Sequence, residues 1–141
     1  MTKKIIGRTD CIDFPKLNLL NINCKIDTGA YTSSIHCSNI TLTEEGLLCF
    51  FDENDTQKSE PVLFKEYSLT DVKSSNGYVE NRYKIKTDVV FFGKTYKINL
   101  TLSTRSDMRF PVLIGRQFLK QKFMVDVDLK DLSYNNTQIW T

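Results

Sequence analysis

Two short segments of this chain carry residue types that could do chemistry at a fixed place. In Cys24-Lys25-Ile26-Asp27-Thr28-Gly29-Ala30, an apolar strand end delivers a carboxylate, Asp27, into a Thr-Gly turn. In Phe110-Pro111-Val112-Leu113-Ile114-Gly115-Arg116, two bulky apolar residues run straight into a glycine that lies 88 positions after Asp27. An aspartate at a strand end is more often a turn former than an acid or base, so Asp-Thr-Gly by itself leaves both readings open. Metal chemistry is poorly supplied. His36 is the sole histidine and could be grouped with Cys37, Cys24 or Asp27, but a catalytic zinc normally takes three protein ligands, often from His-Glu-x-x-His. A structural or hydrogen-bonding duty fits His36 better, and neither a metal nor another cofactor is expected. The chain has no Gly-x-x-x-x-Gly-Lys-Ser/Thr loop to cradle nucleotide phosphates.

The elements that must hold these segments are mainly strands. The 141 residues include one alanine, Ala30, against 11 Ile, 8 Val, 14 Thr and 16 aromatics, a balance that favours pleated sheet over helix. Strand patterns fall at 4–8, 17–22, 24–26, 47–51, 62–64, 67–73, 78–86, 87–92, 95–102, 124–129 and 138–140. A mixed polar stretch covers 31–43, and residues 52–60 read as an exposed loop. Asn76-Gly77 marks one tight hairpin and Gly93-Lys94 a second. One short helix is expected at 116–122. No repeat or linker interrupts the pattern, so a single domain over 1–141 is the expectation. Four cysteines without a Cys-x-x-Cys pair suit reduced thiols in the cytoplasm. A net charge of +2 with scattered Lys and Arg calls for no nucleic acid. The longest apolar run, 47–51, is far short of a membrane span or a leader.

Taken together, the two segments resemble those of the retropepsin-like aspartic proteases, whose Asp-Thr-Gly is followed later by an apolar-apolar-Gly segment and a short helix. The resemblance is closest to a bacterial family catalogued as ATP-dependent zinc proteases. It runs through Ile6-Gly7-Arg8, Thr32-Ser33, His36, Val72-Lys73-Ser74-Ser75-Asn76-Gly77, Glu80-Asn81-Arg82, the stretch 102–105, Met108-Arg109-Phe110-Pro111 and Val125-Asp126. It implies an all-β, closed barrel of the acid-protease type with one short C-terminal helix. It also implies an aspartic endopeptidase, in which one carboxylate takes a proton from water while its partner protonates the peptide carbonyl. This chain has one Asp-Thr-Gly, so the resemblance implies a two-fold homodimer with one Asp27 from each subunit.

The same resemblance assigns roles around Asp27. Thr28 would bond across the dimer axis, Gly29 would let substrate backbone approach, and Ala30 replaces a hydroxyl donor, favouring work nearer neutral pH. Leu113, Ile114, Gly115 and Arg116 would support the loop. Tyr31 stands where retroviral enzymes carry an acidic residue, which leaves Arg116 in need of another partner. The hairpin over 73–82, with Lys73, Ser74, Ser75, Asn76, Gly77 and Tyr78 at its tip, is the candidate flap over a peptide or protein substrate. Arg82, Arg105 and Arg109 lie close to these segments in sequence. If they converge on the cleft they would favour acidic peptides, in keeping with the association of family members with glutamate-adding ligases. The competing reading keeps the fold but makes it a non-catalytic peptide-binding or dimerisation module. A metal-dependent peptidase is a third.

Overall fold

The computed structural model describes residues 2–51, 60–73, 76–105 and 108–139. Alternation of burial explains the strands. In β2 (Thr9–Phe14), Asp10, Ile12 and Phe14 point inward and their neighbours outward. β3 (Leu19–Ile26) buries Ile22, Cys24 and Ile26, leaving Lys25 on the opposite face immediately before Asp27. β9 (Val79–Phe91) and β10 (Lys94–Ser103) form a long antiparallel hairpin turning at Gly93, whose φ of 71° suits a residue without Cβ. With β4 (Ser33–His36) and β11 (Val112–Ile114), these strands pair in the order β10-β4-β11-β3-β2-β9, and the β9–β10 pairing closes six strands into a barrel. The expected all-β closed barrel is present.

β8 (Ser68–Lys73) extends the barrel sheet by pairing with the first half of β9, from Ser68↔Lys84 to Lys73↔Val79. β5 (Asn39–Thr43), β6 (Gly46–Phe50) and β7 (Val62–Phe64) make a separate three-stranded sheet. A two-stranded parallel sheet joins β1 (Lys4–Ile6) to β12 (Phe123–Val125). The core fills the barrel with aliphatic side chains and, at one end, with Phe91, Phe118 and Phe123, whose rings lie 5.3 to 6.0 Å apart.

Several details differ from the sequence expectations, among them β2, which no strand pattern covered, and β3, which is one strand where two patterns at 17–22 and 24–26 were expected. The helix at 116–122 is only one turn, α1 (Arg116–Leu119), because Lys120 leaves helical geometry and Gln121 adopts φ 68°. A second helix, α2 (Leu132–Ile139), replaces the strand expected at 138–140, so the described residues hold two short α-helices rather than one; Trp140 lies outside the described residues. The strand expected over 124–129 stops at Val125, where the Asp126 carboxylate accepts the Asp128 N–H at 3.0 Å and turns the chain. The polar stretch 31–43 contains β4 and β5. The two patterns at 78–86 and 87–92 are one strand, because β9 serves β8 with its first half and β10 with its second.

α2 has a tertiary cause. Asp10, buried on β2, accepts the N–H groups of Ser133 and Tyr134 at 3.0 Å and that of Cys11 at 2.8 Å. A carboxylate 123 residues away in the chain therefore caps a helix with little propensity of its own. Burial raises the Asp10 pKa above its ordinary 3.8, while the three backbone donors pull it back.

Candidate active site

The loop after β3 is held from beneath by β11. β3 and β4 do not pair with each other; β11 lies between them, parallel to β3 and antiparallel to β4. The N–H of Asp27 donates to the Ile114 carbonyl at 2.8 Å, continuing the β3–β11 ladder to the motif itself. The loop then turns on itself: Ala30 N–H donates to the Asp27 carbonyl at 3.2 Å, and Gly29 N–H to the Asp27 carboxylate at 3.0 Å. One carboxylate oxygen is thereby oriented, and the half-buried side chain faces a cleft.

Gly115 is the second half of the device. An added Cβ would lie 2.6 Å from the Tyr31 oxygen and 2.9 Å from that of Ala30, so β11 can pass under the loop only as glycine. Its N–H donates to the buried Ser33 hydroxyl at 2.9 Å. The next two amides, of Arg116 and Gln117, donate to the Ala30 and Tyr31 carbonyls at 2.9 and 2.8 Å. The Arg116 guanidinium donates to the Thr28 carbonyl at 2.9 Å and lies 5.8 Å from the Tyr31 ring centre. Backbone and aromatic face supply the partners that an acidic residue would otherwise provide.

Asp27, Gly29 and Ala30 open into a cleft of about 610 Å3. Its other walls come from β8 and β9, through Val72, Lys73, Glu80 and Arg82, and from Thr32, Ser34, Thr101, Arg105 and Leu113. The β8–β9 hairpin thus borders Asp27, and none of the described residues of β5, β6 or β7 lines the cleft. At the hairpin tip Asn76, Gly77 and Tyr78 are exposed, with Gly77 at φ 88°; Ser74 and Ser75 lie outside the described residues. Thr28 is exposed and does not line the cleft, Ile114 is buried in the core, and Arg116 sits beneath the loop.

A second pocket of about 280 Å3 shares Ser34, Arg82, Arg105 and Leu113 with the first. Arg109, Lys25, Met108 and Phe110 complete much of its lining, and among the described residues it holds four basic side chains and no acidic one. Arg82 is 13% exposed and pairs with Glu80 at 2.9 Å, while its buried Nε finds no hydrogen-bond partner among the described residues. Sequence reasoning gave no site role to Lys25, whose alternation against buried Cys24 and Ile26 could have revealed it, to Ser33, which entered only through the family resemblance, or to Ser34, which carried no signal. Among the described residues no group of three or more His, Cys, Asp and Glu side chains is placed to hold a metal, and His36 is half-buried on β4. No helix among them is long and apolar enough to cross a membrane.

A closed six-stranded barrel with an Asp-Thr-Gly loop bracketed by an apolar-apolar-Gly strand defines a retropepsin-like domain. Residues 5–135 match the model of the RimB-like family, described as retropepsin-like aspartic endopeptidase RimB, and the chain belongs to that family. It is 35% identical over 130 residues to a probable alpha-L-glutamate ligase of Shewanella halifaxensis, and 34% over 140 residues to one of Desulfotalea psychrophila. These alignments cover 88% and 92% of this chain but only 28% and 29% of the relatives, so the chain spans less than a third of their length. A crystal structure of Lpg0085, a Legionella pneumophila protein of unknown function, shares the fold with a TM-score of 0.64 at 20% identity, covering 94% of this chain and 99% of that one.

Proposed function

We propose that this domain is an aspartic endopeptidase acting as a two-fold homodimer on acidic peptides in the cytoplasm. The observation that carries the reading is the Asp27 carboxylate, oriented by Gly29 N–H, in a cleft walled by a hairpin and contiguous with a pocket of four cations. In the dimer two such carboxylates share a proton. One accepts a proton from the attacking water, and the other gives its proton to the carbonyl oxygen as the tetrahedral carbon forms. The exposure of Thr28 and Gly29 in the single chain supports apposition of two loops, as do the exposed side chains of Ile5 and Met124, paired in register on β1 and β12. The acidic preference follows from Lys25, Arg82, Arg105 and Arg109. Arg82 also carries an Nε with no hydrogen-bond partner among the described residues, and a substrate acceptor there would offset the cost of an unpaired buried donor, about 1–3 kcal/mol.

A second reading has its own observation. The matched relatives are named as glutamate ligases, and this chain corresponds to a minor part of each. The domain would then be a peptide-binding module that presents an acidic chain without cutting it. The experiment compares wild type and Asp27→Asn on glutamate-rich and apolar peptides, read by mass spectrometry, with sedimentation giving the mass. Cleavage of the acidic set by wild type alone, lost on dilution below the dimer, is the expected result. Equal cleavage by Asp27→Asn would sink the aspartic mechanism; binding without cleavage by either form favours the module.

A further inference from the structure

Apart from the cleft, the barrel carries a pocket of about 200 Å3 between the β9–β10 hairpin and α1. Its polar lining is Lys86 and Lys97 with Asn99 on the hairpin, and Gln117 with Lys122 on and after α1; among the described residues no carboxylate lines it. The Lys97 ammonium pairs with Asp88, but that carboxylate also takes Lys16, so one negative charge serves two ammonium groups. Lys122 gives one donor to the Phe118 carbonyl at 2.9 Å and retains others. Lys86 takes part in none of the ion pairs among the described residues. Three ammonium groups therefore line the pocket, of which Lys97 shares the Asp88 carboxylate with Lys16, and two side-chain amides lie beside them.

Its position relates it to the cleft. Residues 97, 99, 101 and 103 of β10 alternate onto one side of the strand. Ser103 lines the pocket of four cations and Thr101 the Asp27 cleft, while Asn99 and Lys97 line this one. From Thr101 to Lys97 the strand advances roughly 13 Å, a distance that about four residues of extended peptide also cover. The far wall begins at the active-site loop, because the Gln117 N–H is bonded to the Tyr31 carbonyl.

We propose that this lysine-lined pocket is a remote subsite that takes a carboxylate of an acidic peptide whose other part occupies the Asp27 cleft. The inference rests on the endopeptidase reading and extends it: chains long enough to reach both sites are preferred over chains that fill the cleft alone. The ligand chemistry is a peptide carboxylate, recognised by ammonium groups and amide N–H donors rather than by a preformed bidentate fork.

The test measures kcat/KM on hexaglutamate and dodecaglutamate for wild type and for the double variant Lys86→Gln, Lys122→Gln. The ratio of the long to the short substrate is expected to fall about three- to tenfold in the variant, the effect of losing two solvent-exposed charge contacts. An unchanged ratio with Asp27-dependent cleavage overturns the subsite and leaves the endopeptidase reading standing. Anisotropy with labelled dodecaglutamate on Asp27→Asn protein gives a readout that needs no catalysis. Weaker binding when the lysine changes are added upholds the subsite even if no peptide is cut. Tighter binding of inorganic phosphate than of dodecaglutamate, lost in the same variant, overturns the assignment to a peptide.

Discussion

Gly115→Ala tests whether β11 holds the Asp27 loop by close backbone approach. Gly115 has φ −94° and ψ 177°, extended backbone that alanine adopts freely, so the whole effect must come from contact. The new Cβ meets Tyr31 O at 2.6 Å, Tyr31 C at 2.8 Å and Ala30 O at 2.9 Å, all backbone atoms that no rotamer change can move aside. Relief to an ordinary contact requires the loop to retreat by about 0.8 Å, estimated from the closest non-bonded carbon–oxygen approaches. That retreat stretches the Arg116 and Gln117 hydrogen bonds, now 2.9 and 2.8 Å, past useful length. Two lost hydrogen bonds with residual strain give a destabilisation of about 2–4 kcal/mol, or a Tm lower by about 10 °C for a chain of this size. A shift of that order at Asp27 should cost any peptidase activity about a hundredfold. Urea denaturation followed by circular dichroism reads the first quantity, and hydrogen exchange at the Arg116 and Gln117 amides reads the cause. The Gly93→Ala variant, whose Cβ meets open space and pays only for its positive φ, is the comparison and should lose about 1 kcal/mol. Wild-type stability and unchanged exchange in Gly115→Ala would refute the bracketing argument.

Two further expectations concern buried titratable groups. Asp10 has a pKa raised above 3.8 in the folded chain, so the native state binds more protons than the unfolded state between those values, and stability falls as pH rises through that window. Asp10→Asn removes this contribution; the stability difference between wild type and variant should shrink from pH 4 upward, and a constant difference in urea melts from pH 4 to 7 would count against it. All four cysteines are free thiols; burial pushes Cys37 and Cys49 up to about 12 and Cys24 well above its ordinary value. At pH 8 the native protein should give at most one reactive equivalent, from Cys11, and four after denaturation. Three fast native equivalents would show that these thiols are not sequestered.

The fold class was legible because composition and alternation both oppose helix, and the two hairpins were legible because Gly77 and Gly93 suit a positive φ, although the second turn falls at Phe92-Gly93, with Lys94 already paired in β10. What escaped reading had its cause elsewhere in the chain. β2 hides behind Asp10, a charged residue on the inward face whose hydrogen bonds come from α2. α2 hides behind weak propensity and forms where that carboxylate meets its first turn. Ser33 and Ser34 fell within the mixed polar stretch 31–43, yet both are buried on β4, Ser33 receiving the Gly115 N–H.

By itself the sequence determined that Asp27 ends an apolar strand in a Thr-Gly turn, and that a glycine after two bulky residues follows 88 positions later, because these are local patterns of residue type. Only the tertiary structure decided what surrounds the carboxylate. Closing six strands brought Lys25, Arg82, Arg105 and Arg109 from three separate stretches of chain to one pocket wall, and set Lys86 and Lys97 of the β9–β10 hairpin beside Lys122, which follows α1. Side-chain alternation fixes which face a residue takes, but the register of distant strands fixes which residues share that face.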